Sequence, residues 1–361
     1  MPGITIDQAR DLVNATLQRI SDDPLQVTLA QSNYPAVQML TEENVKYDGG
    51  KFITWDVTLS TSGNAKNTQL YGTDTTNVTN TTHEGHTHWT HSTTNFSYDV
   101  REILLNAGDR VKIFNVLKAK KVDAWSDMIT LLENGFWSTP TSSTDALNPN
   151  GAPAWLTQGT NGSTGGFTGY SPHYAGGTTD FDAGGINTTS AINTRWANYY
   201  ADHDGNIDDS LLDILSSAWR KCNFKAPAIA SDVLNPKSDL SKVRFYSNDN
   251  VIKNLEKLAR LSDDRIGNDL GKYQGATVYK GIPFIYSPNL DTADTNLYGT
   301  DPIFGINHNY LYPVVLRGQY FEVSKPINDK EQHQVLTVFV DLSYAYVCKN
   351  RRNAGFLINQ Q

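Results

Sequence analysis

The spacing of apolar residues along this chain changes character several times, and each change predicts an element. Between Thr5 and Ile20 the residues Ile6, Ala9, Leu12, Val13, Leu17 and Ile20 fall on one stripe at helical spacing. Thr5 and Gln8 have the spacing of a capping box, and Pro24 after Asp22-Asp23 stops the helix because proline cannot continue it. Residues 24–45 hold Pro24, Pro35 and isolated apolar positions without a period, which suits an extended arm lying on something else. Lys51–Leu59 alternate well enough for a strand, with Phe52 and Ile53 spoiling the strict period. Residues 60–95 are dominated by Thr, Asn, Ser and His and cannot fill a core. They are expected to be either disordered or a projecting hairpin stabilised by neighbouring chains. Phe96, Tyr98, Val100 and Ile103-Leu104-Leu105 return the chain to a buried body.

The longest helical pattern follows. Asp109 is placed to cap it, Val111, Phe114, Leu117, Val122, Trp125, Met128, Ile129 and Leu132 recur at steps of three and four, and Gly135 sits where a left-handed cap belongs. About 26 residues make a rod near 40 Å long. Residues 138–194 then carry three charges (Asp145, Asp180 and Asp182), no Lys or Arg, and ten of the 27 glycines. Interspersed aromatics such as Trp155, Phe167 and Tyr170 predict an ordered, loop-rich excursion rather than a free linker.

The remainder predicts a mixed α/β domain. Helices are expected from the Asp208/Asp209 cap to Cys222 and over Val251–Ala259. Strands are expected at Ala228–Ala230, Lys242–Tyr246, Thr277–Lys280 and Ile282–Ser287, with Ile303–Ile306 and Leu311–Leu316 as a hairpin. The last strand, Gln334–Val347, alternates Val335, Thr337 and Phe339 against Leu336, Val338 and Val340 and is long enough to span over about 40 Å.

Composition narrows the classes. The 361 residues are 19% charged, with net charge −8 and no basic block, which argues against a dedicated nucleic-acid binder. Cys222 and Cys348 are too few and too distant for a disulfide framework or a paired-cysteine zinc site. No apolar run approaches a membrane span, and the first residues lack a signal-peptide pattern, so a soluble protein of a reducing cytosol is expected.

Candidate chemistry is sparse. Four histidines (His83, His86, His88 and His91) crowd one Thr-rich segment, and on a strand His86 and His88 would share a face, so a metal site is the sharpest hypothesis there. The spacing does not match the helical His-Glu-x-x-His pattern, and a polar hairpin touching a neighbouring subunit explains the same residues. Tyr200–Asp208 fails as a calcium loop, because Tyr200 and Leu211 would occupy ligand positions. Gly267–Lys272 is one residue short of a phosphate loop. Cys222 beside Trp219 predicts a buried structural thiol, and Lys349, Arg351 and Arg352 predict a small surface or interface patch. No catalytic or cofactor-binding residue is assigned, and no cofactor is expected. Phe52, Trp55, Trp89, Phe96, Trp155 and Tyr170 are the candidates for contacts between subunits, since interface cores are rich in aromatics and poor in charge.

The order of these pieces resembles the major capsid protein family of tailed bacteriophages, the Hong Kong 97-like fold. The resemblance is carried by Leu212–Leu215 through Ala228–Ala230 and Val233-Leu-Asn-Pro236, by Gly281-Ile-Pro283 and Asp301-Pro-Ile-Phe-Gly305, and by Val335–Val340 through Ala354–Ile358. Here Ile306-Asn307 stands where the family has Asp after Phe-Gly. The resemblance implies an α+β fold in which 1–45 is the N-terminal arm, 46–99 the E-loop, and 100–137 the P-domain with its spine helix. Residues 138–207 become a Gly/Thr-rich insertion or P-domain loop region, 208–332 the A-domain, 333–349 the returning P-domain strand, and 350–361 the closing A-domain strand. It further implies self-assembly into hexamers and pentamers of an icosahedral head around double-stranded DNA. Scaffolding, portal and decoration proteins would be partners, with no membrane involved, and assembly would occur in the host cytoplasm. The Lys–Asn crosslink of some members finds only formal candidates, Lys51 or Lys66 and Asn350 or Asn353, and is not carried over. The rival readings are a fibre or carbohydrate-binding module and, behind it, a metal-dependent hydrolase using residues 83–91.

Overall fold

A computed structural model describes residues 34–41, 45–70, 80–101, 110–142, 144–159, 162–169, 182–187, 195–222, 242–262, 277–295, 297–328 and 334–360, with Gly72, Val78 and Gln332. The helix expected at 5–20, the strand at 228–230, the loop at 267–272 and Tyr170 lie outside the described residues. The chain divides into two compact units. One gathers residues 1–49, 89–135 and 313–345, the other 50–88, 136–312 and 346–361.

The first unit is organised by a long strand and a long helix. Its elements are α1 (Pro35–Thr41), β1 (Lys46–Asp48), β4 (Thr90–Asp99), helix α2 (Arg110–Phe136) up to Gly135, β13 (Leu311–Leu316) from Pro313, β14 (Glu322–Val323), β15 (Ile327–Asn328) and β16 (Val335–Cys348) up to Ala345. Strand β16 pairs antiparallel with β4 from Val335↔Asp99 to Tyr344↔Thr90, while β14 and β15 pair along its other side. The alternation read from the sequence is the burial pattern observed, with Leu336, Val338, Val340 and Leu342 buried and the intervening residues half-buried. Helix α2 buries Ala124, Trp125, Met128, Ile129 and Leu132, and Ala124 O accepts from Thr94 Oγ1 of β4 at 3.3 Å. The helix does not stop at Gly135. It runs through that residue to Phe136, which is fully buried and so gains more by continuing than a glycine cap would supply. Helix α1 is pinned at both ends: Ala36 N donates to Glu133 Oε2 at 2.9 Å and Tyr320 Oη donates to Leu40 O at 2.9 Å.

The second unit is built on a seven-stranded mixed sheet of order β10-β11-β9-β12-β17-β8-β5. The strands are β5 (Gly166–Gly169), β8 (Asn198–Asp202), β9 (Val243–Ser247), β10 (Val278–Tyr279), β11 (Ile282–Tyr286), β12 (Thr300–Asn307) and β17 (Gly355–Gln360). Outside the sheet lie the hairpin β2 (Ile53–Thr58) and β3 (Thr82–Thr87), the short pair β6 (Asp182–Ala183) and β7 (Ile186–Asn187), and the one-turn helices α3 (Ala152–Trp155) and α6 (Arg351–Ala354). Helices α4 (Asp209–Cys222) and α5 (Asp249–Ser262) share one core on one face of the sheet, with Leu211, Leu215, Ala218 and Val251 packed against Tyr199, Phe245, Ile303 and Phe356. The alternate side chains face an aromatic layer: Trp137 packs on Tyr246 and Phe304, and Tyr298 on Phe304. Asp208 and Asn248 cap the two helices, accepting from Ser210 N at 2.9 Å and Val251 N at 3.0 Å. The β10–β11 turn is Lys280-Gly281, with φ of 51° and 82°, the left-handed pair that a two-residue hairpin needs.

Three expectations are corrected here. Strands β12 and β13 do not form a hairpin. Both sides of β12 are taken, by β9 and β17, while β13 lies between β1 and β16. The 138–207 stretch is not merely a loop region, since it supplies β5 and β8 to the sheet. Arg351 is not a surface charge: only 1% of it is exposed. Its Nε donates to Trp155 O at 2.8 Å and its Nη1 to Trp196 O at 3.0 Å. Its Nη2 reaches Thr157 Oγ1 at 2.9 Å, Asn198 Oδ1 at 3.0 Å and Gly169 O at 3.2 Å. Burial holds its pKa down at about 10, so the guanidinium remains charged at neutral pH and is solvated by neutral oxygens.

Two outcomes follow from this packing. Arg351→Met strips a buried donor fork from five acceptors and is expected to cost about 3–5 kcal/mol in a urea melt. Arg351→Lys should recover only part of that, because a point charge cannot reproduce the fork. His308, bonded through Nε2 to Tyr246 Oη at 2.8 Å, has its pKa lowered from 6.5 to about 4 by burial and then by Arg244 and Lys242. The folded chain therefore keeps it neutral where the unfolded chain protonates it. Stability is expected to fall as pH drops from 6.5 towards 4, and His308→Gln to flatten that slope in thermal melts across pH.

Candidate functional site

The sequence singled out the histidine-bearing hairpin and six aromatics, and the structure places most of them. Strands β2 and β3 pair from Ile53↔Thr87 to Thr58↔Thr82, and β2 alternates strictly, burying Ile53, Trp55 and Val57 and exposing Thr54, Asp56 and Thr58. The Trp55 indole lies across Gly85 on the facing strand. A Cβ there would stand 2.7 Å from the ring, so glycine is what admits the tryptophan. Trp55 then meets Trp155 edge-on, with ring centroids 6.0 Å apart. His86 N donates to Gly184 O at 2.9 Å, and its ring sits against Gly185, whose φ of +76° and lack of a Cβ leave the space.

The four clustered histidines are divided. His91 belongs to the first unit, where Nδ1 meets Ser343 Oγ at 2.7 Å, and that hydroxyl donates in turn to Gln319 Oε1. Because the Ser343 proton is committed to an amide oxygen, the hydroxyl accepts from His91, fixing the proton on Nδ1. In the second unit His88 Nε2 meets Asn148 O at 3.1 Å, and the His86 ring packs edge-on against Phe52 at 6.1 Å. His86 and His88 do line one cavity of 210 Å³, together with Asp145 and Asp182. Asp145 is occupied as a loop organiser, accepting from Thr141 N, Leu147 N and Asn148 Nδ2, and these bonds hold its carboxyl well below the usual range. No three of the described His, Cys, Asp and Glu side chains converge to hold a metal ion.

Of the six aromatics proposed for subunit contacts, Trp55, Trp89, Phe96 and Trp155 are buried inside the chain's own units. Such side chains leave a neighbour almost no surface. Phe52 differs: it is 46% exposed, with Lys51 Nζ 5.4 Å from its ring centroid. Residues 61–70 are exposed and without regular structure, and they carry Leu70, with Val78 beyond them almost wholly in solvent. The hairpin therefore has an anchored base of buried tryptophan and valine, with Phe52 half-covered beside His86, and beyond it Leu70 and Val78 stand exposed. Cys222 and Cys348 are free and buried, and burial raises both thiols, Cys348 to about 12, as befits thiols that pack as structural side chains.

No protein-family model matches the chain, and no curated protein matches it in sequence. Solved structures do match. A chain of the cyanophage A-1(L) capsid asymmetric unit aligns over 90% of this chain and 92% of its own, at 13% identity and a TM-score of 0.61. The capsid of the native GTA particle aligns over 91% and 90%, at 10% identity and 0.52. A chain of Mycobacterium phage Bobi aligns over 90% of each, at 8% identity and 0.50. At such identities the likeness is one of fold, and it spans both units: the chain has the Hong Kong 97-like α+β fold of phage capsid proteins.

Proposed function

We propose that this protein is a major capsid protein, a structural subunit that self-assembles into the hexamers and pentamers of an icosahedral phage head around double-stranded DNA. The observation that carries the reading is the coverage of the fold match, nine-tenths of both chains against the cyanophage capsid subunit. The function is mechanical, with no catalytic step. A shell subunit must offer surfaces that are unsatisfied in isolation, and the hairpin, with Phe52 at its base and Leu70 and Val78 beyond its strands exposed, is such a surface. Its place in the reading is to lie over an adjacent subunit, where those apolar side chains are buried at last. The 18 tyrosines and seven tryptophans suit a protein that must fill its own cores and several interfaces. The protein would reside in the virion shell after assembly in the host cytoplasm, with scaffolding, portal and decoration proteins as further partners.

Analytical ultracentrifugation of the purified protein, with and without co-expressed scaffolding protein, tests the reading. The expected result is capsomer-sized species and closed particles, with Phe52→Ser and Leu70→Ser together reducing particle yield while leaving the thermal midpoint within about 2 °C of wild type. A monomer under every condition would overturn it.

A further inference from the structure

The seven-stranded sheet carries opposite charges at its two ends. Strand β8 is parallel to β17, β11 is parallel to β9, and β9 and β17 are both antiparallel to β12, so β8, β9, β11 and β17 all point the same way. Just beyond their C-terminal ends stand the exposed carboxylates of Asp204, Asp249 and Asp291. At the opposite end Arg195 precedes β8, Arg352 precedes β17, and Lys221 lies in the last turn of α4, where Cys222 Sγ reaches Gly355 O at 3.6 Å. Lys242 and Lys280 enter at that same end, before β9 and β11.

The cations at this end are held in place. The Arg352 guanidinium lies over the Phe167 ring with Cζ 3.7 Å from its centroid, and Lys221 Nζ is 5.4 Å from the centroid of Tyr199. Both are nevertheless exposed, as is Arg195. Arg352 and Arg195 are near enough to feel one another, since the Arg352 pKa is lowered by burial and then by Arg195. Among the described residues none of these three cations is in an ion pair, in contrast to Arg101, which pairs with Asp99 in the other unit. Like charges, two of them braced on aromatic rings and none with a counter-charge among the described residues, in a chain of net charge −8, are arranged for an anionic partner. The chain supplies that chemistry at the far end of the same sheet. The two ends are separated by the length of α4, 14 residues or about 21 Å, which is beyond ion-pair reach and beyond the Debye length of about 8 Å at physiological salt. They cannot neutralise each other within one copy.

We propose that Arg195, Lys221 and Arg352 dock on the acidic strand ends, around Asp204 and Asp249, of a second copy of this chain. The contact is head-to-tail, the type that closes into a ring, and it rests on the self-assembly proposed above. Three preparations test it: a basic-end variant (Arg195→Glu, Lys221→Glu, Arg352→Glu), an acidic-end variant (Asp204→Lys, Asp249→Lys), and a chain with all five changes. Circular dichroism checks folding, with Gln and Asn substitutions in place of any reversal that unfolds. Each single-ended variant is expected to form at least about tenfold fewer particles than wild type, because like charges now meet. The five-change chain should regain assembly. Normal assembly of both single-ended variants would overturn the proposal, as would failure of that restoration. Normal assembly of the basic-end variant with loss of particle-bound nucleic acid would also overturn it, identifying nucleic acid as the partner. Failure of the wild-type chain to assemble at all would instead remove the functional reading on which the proposal rests.

Discussion

A guanidinium buried without a carboxylate is the constraint around which the α/β unit is arranged. Arg351 can be kept dry only if neutral oxygens replace its water, and they come from Trp155, Thr157, Gly169, Trp196 and Asn198. Those residues belong to α3 and its exit, to β5, and to the start of β8, pieces separated from Arg351 by more than 150 positions. Asn198 doubles the tie, accepting from Thr157 N at 3.1 Å and donating to Thr157 O at 2.9 Å. Asn350, next to the arginine, accepts from Arg352 N and Asn353 N, holding the one-turn helix that aims the fork. The Gly/Thr-rich stretch is thereby fixed to the sheet through the charge rather than through a large apolar core of its own.

The same segment shows how an apolar lattice and a polar one divide the work. On one face of the sheet, helices α4 and α5 cover Phe245 and Phe356 in the ordinary way. On the other, Trp137, Tyr246, Tyr298 and Phe304 find ring partners, and the buried indoles of Trp155 and Trp196 donate to Asn150 O at 3.1 Å and Ala183 O at 2.9 Å. Trp155 is part of this lattice and reaches Trp55 at the base of the hairpin. The base is thus rigidly seated, while Phe52 beside it stays half exposed and Leu70 and Val78 further out lie in solvent.

What was legible in the sequence was what local periodicity encodes. Strand β16 is half-buried along most of its length, so its alternation could be read directly, and α4 and α5 announce themselves through Leu211, Leu215, Ala218 and Val251. The failures are non-local. Two apolar runs flanking Asn307-His308-Asn309 look like a hairpin, and only the distant strands β9 and β17 reveal that β12 has no free edge. Arg351 looks like a surface charge because its acceptors are mostly backbone carbonyls, which leave no mark on sequence. The one available sign was its position between two continuously buried runs, Tyr344–Cys348 and Ala354–Asn359. The aromatics misled for a related reason: composition says that aromatic surface must be covered, but not whether by the same chain or by the next.

The central claim is that this fold is one tile of a closed shell. An electron cryomicroscopy reconstruction of particles formed by the purified chain tests it most directly. The account predicts icosahedral symmetry with hexameric and pentameric rings, and density for the outer part of the 46–99 hairpin lying on a neighbouring subunit with the Phe52 ring covered. Particles of no closed symmetry, or rings in which that hairpin folds back on its own subunit and Phe52 faces solvent, would contradict it.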